Sequence, residues 1–280
     1  MIKKRFISML VLLAAVATGA MAQTTYKVSV KEGTEDATSW TITPAEATTT
    51  GVAAGTTVTA TYSGTKHVKS VKAVKKAPAV TTLDNTTTAW TAGTYAVPAG
   101  GLTYSAAITV SGDVTLVLTD GETLTLNKGI SLASGATLTI EGNGTMNING
   151  TNNSTASTVA GTGTLVLTSG TLTATGGNGE SVNSKDDYNG GSGGTAINGS
   201  VTVSGGTLTA RGGNGGSVGF GRDNCHGGAG GAAISGSLTI NAGTVTTTNG
   251  AAGSVGDFCD GCSGGAAGKA VAGTVTDNRE

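Results

Sequence analysis

The feature that most constrains this chain is an internal repeat. The apolar triplets Leu165-Val-Leu, Val201-Thr-Val and Leu238-Thr-Ile start 36 and then 37 residues apart, and Thr171-Leu-Thr-Ala, Thr207-Leu-Thr-Ala and Thr244-Val-Thr-Thr follow at the same intervals. Next come Gly176-Gly-Asn-Gly, Gly212-Gly-Asn-Gly and Asn249-Gly-Ala-Ala, then a longer loop and a run of small residues ending at Ile197, Ile234 or Val271. A unit of this size holds two or three short strands and cannot bury its apolar side alone. Stacking units as parallel rungs about 4.8 Å apart gives each strand a partner above and below. Leu165, Val201 and Leu238 would then form one inward column. Leu172, Leu208 and Val245 would form a second, and Ile197, Ile234 and Val271 a third.

Composition supports a wound β-architecture. The 280 residues include 48 Gly and 51 Thr, which the repeat places at corners and loops or on strands. Three prolines and no glycine at every third position exclude collagen, and three cysteines exclude a disulfide-dense scaffold. The fold class expected is all-β. Residues 23–76 form a small module, 77–89 a linker, and 90–280 a parallel β-solenoid whose clear repeats run from 165 to 273. No polar cap is evident after the last repeat, which leaves the C-terminal rung open to self-association.

Residues 1–22 read as a signal peptide. Lys3, Lys4 and Arg5 precede an apolar run over 6–17, and Ala20-Met21-Ala22 offers small residues for cleavage before Gln23. The expected protein is exported, extracellular or on the outer surface (or periplasmic), and no second apolar run reaches membrane-spanning length. Seven Lys against four acidic residues give 24–76 a balance of +3, whereas six basic against thirteen acidic residues give 77–280 a balance of −7. The mature chain is thus net acidic and no nucleic-acid partner is expected.

The module shows alternation at Tyr26, Val28 and Val30, a run at 40–43 ending before Pro44, a third run over 56–62, and a fourth over 67–74. In the fourth, Val68, Val71 and Val74 recur every third residue, which predicts a bulge. Its lysines (Lys66, Lys69, Lys72, Lys75 and Lys76) read as a solvated edge that discourages aggregation. Tyr26-Lys-Val, Trp40-Thr-Ile-Thr-Pro and Gly55-Thr-Thr-Val-Thr-Ala-Thr-Tyr resemble small Ig-like or β-grasp-like modules of bacterial surface proteins.

Chemistry-bearing residues gather in the long loops. Asp186, Asp223 and Asp260 fall in register, 37 apart each time, with Asp187 and Asn224 beside them. Stacked carboxylates repel unless a cation lies among them, and calcium accepts such oxygen ligands. Lys185 and Arg222 next to two of the aspartates provide an alternative balance of charge. Cys225 and Cys262 are one repeat apart, with His226 and Cys259 close by. In an exported protein a Cys225–Cys262 or Cys259–Cys262 disulfide is the first expectation, a free or assembly-linking thiol the second, and a Cys₃His zinc site the third. Tyr188, Phe220, Arg222, Asn224 and Phe258 supply the rings and planar polar groups that a sugar-binding surface uses, or else pack the loops. Threonine columns on the outer faces could order water as an ice-binding array does, although Arg211 interrupts one of them. No phosphate loop is present and two scattered histidines do not suggest a catalytic triad, so no enzymatic activity is expected.

Thr91-Ala-Gly-Thr-Tyr, Val97-Pro-Ala-Gly-Gly-Leu, Gly205-Gly-Thr-Leu-Thr-Ala and Gly230-Gly-Ala-Ala-Ile-Ser-Gly resemble Gly-rich surface repeat proteins of gut anaerobes. More distantly, the texture is similar to right-handed β-helix carbohydrate-binding proteins, some of them calcium-dependent binders of acidic sugars. The first resemblance implies a structural or adhesive surface protein presenting Gly-rich loops to a host or bacterial surface protein. The second implies a calcium-assisted polysaccharide-binding module, and a β-helix lyase or hydrolase ranks third.

Overall fold

A computed structural model of the 280-residue chain describes the strands of residues 7–76 and all of 80–279 except 184–188, 220–223 and 257–260. The described residues are all-β, without a helix, and fall into two units, Met1–Ala79 and Val80–Glu280.

In the first unit, Thr25–Glu32 pairs antiparallel with Ser70–Lys76, and Thr57–Tyr62 pairs antiparallel with Trp40–Thr43. The bulge expected in the fourth run is absent over Ser70–Lys76. Every residue from Ser70 to Lys76 has one partner on Thr25–Lys31, so the valine spacing does not break the ladder there. Among the described residues Ser70–Lys76 pairs with one strand alone, which leaves its lysines on an edge. Ile7–Leu12, inside the apolar run read as a signal peptide, pairs with the free side of Thr57–Tyr62. Cleavage before Gln23 would remove that strand and leave the Trp40–Thr43 pairing intact.

The second unit is a long parallel sheet curled on itself, the arrangement of a β-helix. Each coil contributes to up to three faces. The first face contains Val80–Thr82, Gly93–Ala96, Asp113–Leu118, Thr137–Gly142 and Thr164–Leu167, then 200–203, 238–240 and Val275–Asp277. The second contains Leu102–Tyr104, Thr123–Leu126, Thr145–Asn149 and Thr171–Thr175, then 207–211 and 244–248. The third runs through Ala89–Trp90, Ile108–Val110, Ile130–Leu132 and Val159–Gly161 and continues as single bridges at Ile197, Ile234 and Val271. Val80–Thr82 and Ala89–Trp90 belong to these faces, so the first coil begins within the stretch read from the sequence as linker.

The coil length is not constant. Register partners on the first face are Gly93, Val114, Leu138, Leu165, Val201, Leu238 and Val275, successively 21, 24, 27, 36, 37 and 37 residues apart. Inward positions form one continuous core from Leu83 to Ile240, with Leu165, Val201, Leu172, Leu208, Ile197 and Ile234 at most 1% exposed. Val245 and Val271, in the last coil, are half-buried against it. Burying a Leu, Ile or Val in these columns contributes about 1.5–3 kcal/mol each, and the alternating pattern supplies two such residues per strand. Aromatic rings close the early end: Trp90 is fully buried, stacked on Tyr95 with centroids 6.0 Å apart and edge-on to Tyr104 at 6.2 Å. The Tyr104 hydroxyl donates to the Asp84 carbonyl. Asp84 Oδ1 accepts from the backbone and hydroxyls of Thr86 and Thr87, which hold its carboxyl down at about 2.

One further rung follows the last long coil. Val275–Asp277 lies on 238–240, the Asp277 carboxylate is paired with Arg279 at 2.6 Å, and Arg279 Nη1 donates to the Gly243 carbonyl. Asp277 occupies the column that Ile240 fills one coil below, a charged, hydrogen-bonded side chain in a column that is apolar in the coil beneath.

Candidate functional site

The extra nine or ten residues in the long coils build a structure of their own between the second and third faces. An outgoing segment (176–182, 212–218, 249–255) leaves the second face, and a returning segment (189–196, 226–233, 263–270) comes back to the third. Neither is a free glycine loop. Within the outgoing layer, Gly176 and Gly179 donate to Arg211 and Asn214 of the next coil, and Gly212 and Gly215 donate to Thr248 and Ala251. Within the returning layer, Gly190 and Gly193 donate to His226 and Ala229, and Gly227 and Gly230 to Ser263 and Ala266. The residues between these donors bond across the layers: Gly194 N–H to Gly177, Gly213 to Gly194, Gly231 to Gly213, and Gly250 to Gly231, at 2.7–2.9 Å.

Donors that repeat every third residue and point to different neighbours describe an extended, threefold backbone of the polyproline II kind, packed as a two-layer bundle. Glycine is required by proximity. A Cβ at Gly176, Gly213, Gly215, Gly228 or Gly231 would approach a neighbouring carbonyl closer than 3.0 Å, and none of these residues takes a left-handed φ. The Gly-rich stretches on either side of each tip are therefore packed segments. Such a segment lacks internal hydrogen bonds and would be a flexible coil in isolation, but three stacked coils satisfy its backbone from both sides.

The third position of each triplet points outward and carries polar ladders. Asn152 Oδ1 accepts from Asn178 N–H, Asn178 Oδ1 from Asn214 N–H, and Asn214 Oδ1 from Ala251 N–H. Ser181 and Ser217 act likewise toward Ser217 and Ser254. These columns continue the flat second face, where Thr171, Thr207 and Thr244, then Thr173, Thr209 and Thr246, then Thr175, Arg211 and Thr248 stand in register.

Each outgoing segment passes to its returning segment through a short tip, and the feet of the three tips are stacked. Val182, Val218 and Val255 bridge in parallel on one side, and Asn189, His226 and Ser263 on the other. At the returning feet, His226 N–H donates to Asn189 Oδ1, and the His226 ring Nδ1 is 2.7 Å from Ser263 Oγ. Cys225 and Cys262 are joined by a disulfide between adjacent coils, their Cα atoms 4.7 Å apart, with Cys225 fully buried. Asn224 precedes this staple at φ 69°, a left-handed turn that asparagine tolerates.

Among the residues expected to form a site, Asn224, Cys225, His226 and Cys262 are thus brought together at the tip feet. Asp186, Asp187, Tyr188, Phe220, Arg222, Asp223, Phe258, Cys259 and Asp260 lie outside the described residues. Among the described residues no three His, Cys, Asp or Glu side chains cluster as a metal site, and no helix is long and apolar enough to cross a membrane. The Asn and Ser ladders were not anticipated, although the triplet spacing Asn178-x-x-Ser181, Asn214-x-x-Ser217 and Ala251-x-x-Ser254 contains the signal. Comparison with family models, with curated proteins and with solved structures gave no match to this chain.

Proposed function

We propose that this is an exported, non-catalytic surface or extracellular protein of structural or adhesive role. An Ig-like or β-grasp-like module precedes a β-solenoid with a 36–37-residue repeat, and the glycine bundle is a stiff arm that presents three short tips to a partner. The observation that carries this reading is the registration of the tip feet: two bridge ladders and a disulfide anchor the tips on adjacent coils. A fixed base reduces the ordering cost when tips engage a ligand. A surface protein of the host or of a neighbouring cell is the partner class for this reading.

A second reading, calcium-assisted binding of an acidic polysaccharide, is favoured by one observation. Asp186, Asp223 and Asp260 each sit four or five positions beyond a registered foot residue, Val182, Val218 or Val255. Titrating the purified chain, starting at Gln23, with calcium and screening it on a glycan array with and without calcium separates the two. A melting temperature that rises with calcium, together with calcium-dependent glycan binding lost on changing Asp186, Asp223 and Asp260 to Ala, would establish the second reading. An unmoved melting temperature with no glycan bound would retire it. For the first reading, adhesion to cells or immobilised surface protein should survive removal of the first unit and disappear when the three tips are replaced by Gly-Ser linkers.

A further inference from the structure

The first unit guards one strand edge and leaves another unguarded. Ser70–Lys76, paired with one strand among the described residues, carries Lys72, Lys75 and Lys76, charges of the kind that keep an edge from accepting a further strand. Thr57–Tyr62, Thr-Val-Thr-Ala-Thr-Tyr, has no charge and no proline. It lies between Trp40–Thr43 and Ile7–Leu12, and the latter pairs with it antiparallel through all six residues.

Side chains alternate along a strand, so the register sorts this sheet into two faces. Val58, Ala60 and Tyr62 share one face with Trp40 and Ile42, whereas Thr57, Thr59 and Thr61 share the other with Thr41 and Thr43. Ile42 is half-buried and its two threonine neighbours are exposed, which marks the apolar face as the inner one. Ile7, Met9 and Val11 extend that face, opposite Tyr62, Ala60 and Val58. Cleavage before Gln23 removes this strand. What is left of the sheet is a two-stranded pair, marginal by itself, with a six-residue uncharged edge.

We propose that in the exported chain this edge of Thr57–Tyr62 binds an extended segment of another polypeptide as an added strand. The inference rests on the export reading above. The incoming segment runs antiparallel and is apolar at every second residue, as Ile7–Leu12 is when it holds the place. Main-chain bonds along the edge give affinity, and the apolar positions opposite Val58, Ala60 and Tyr62 give selectivity. A second copy of the same strand fits less well. Any antiparallel register that keeps the apolar faces together pairs at most five of its six residues.

Fluorescence anisotropy tests this on the chain starting at Gln23, with a labelled peptide of the Ile7–Leu12 sequence carrying added lysines at both ends for solubility. Binding should saturate. The chain that retains residues 1–22 should bind about tenfold more weakly or worse, because its own strand fills the edge. Peptide changes Met9→Lys and Val11→Lys together put charge on the apolar face and should weaken binding about tenfold or more. Ser8→Lys and Leu10→Lys together fall on the threonine face and should leave it within about threefold. Amide exchange over 57–62 should slow when the peptide binds. Absence of saturable binding, equal loss with both altered peptides, or unchanged exchange over 57–62 overturns the proposal, and so does a chain that pairs with itself through 57–62 and excludes the peptide. Each of these leaves export standing. N-terminal sequencing that finds Ile7–Leu12 still attached to the exported protein would instead overturn the reading on which the proposal rests.

Discussion

Replacing Gly215 by Ala is a direct test of the glycine bundle as a packed structure. A Cβ there meets the carbonyl of Gly228 and the carbonyl carbon of Ala229, all backbone, so no side chain can rotate away. Reaching ordinary contact from 2.0 Å requires the outgoing layer 212–216 and the returning layer 227–231 to part by about 1.5–2 Å. Two bonds tie these layers here, Gly228 N–H to Gly216 and Gly231 N–H to Gly213, at 2.8 and 2.7 Å. Losing them costs about 1 kcal/mol each. Overpacking strain adds roughly 1–3 kcal/mol. The lower entropy of the unfolded alanine chain returns about 0.4–1 kcal/mol. The expected net loss is about 3 kcal/mol. The reverse change one coil on, Ala252→Gly, removes a methyl that is exposed and should cost about 1 kcal/mol or less. Urea unfolding followed by circular dichroism gives both differences, and amide exchange at Gly228 and Gly231 reports where the loss falls. A Gly215→Ala variant within about 0.5 kcal/mol of the wild type, with these amides still protected, would refute the bundle.

Breaking the staple with Cys225→Ala and Cys262→Ala together, or with reductant, frees a 37-residue loop. It should lower stability by about 3–4 kcal/mol in the chain-entropy account, read as a fall in melting temperature. Asp84 and Asp277 both hold their carboxyls at about 2, Asp84 through bonds from Thr86 and Thr87, and Asp277 through bonds from Arg279 and its charge. A carboxyl whose folded value is depressed stabilises the fold above its unfolded value, near 3.8, and loses that contribution as pH falls toward 2. Melting temperatures should therefore drop between pH 4 and 2, and the drop should be smaller in Asp84→Asn and Asp277→Asn. An NMR titration giving ordinary values for both carboxyls would contradict the assignment.

The sequence by itself determined the long-coil register, because spacings of 36 and 37 residues between Leu165, Val201 and Leu238 repeat the same inward and outward choices. It also placed Cys225 and Cys262 one repeat apart, and stacking then brings their Cα atoms to 4.7 Å. The earlier coils were not visible as repeats, since lengths of 21, 24 and 27 residues share no fixed period. Only the tertiary structure decided what the glycine runs do. A Gly-Gly-Asn-Gly segment has no preferred partner along the chain, and its hydrogen bonds exist only when neighbouring coils lie on both sides. The contacts of the last described rung were hidden for a related reason. Asp277-Asn278-Arg279 reads as an ordinary polar stretch until Ile240 lies beneath Asp277 and the Gly243 carbonyl meets Arg279, contacts that stacking alone creates.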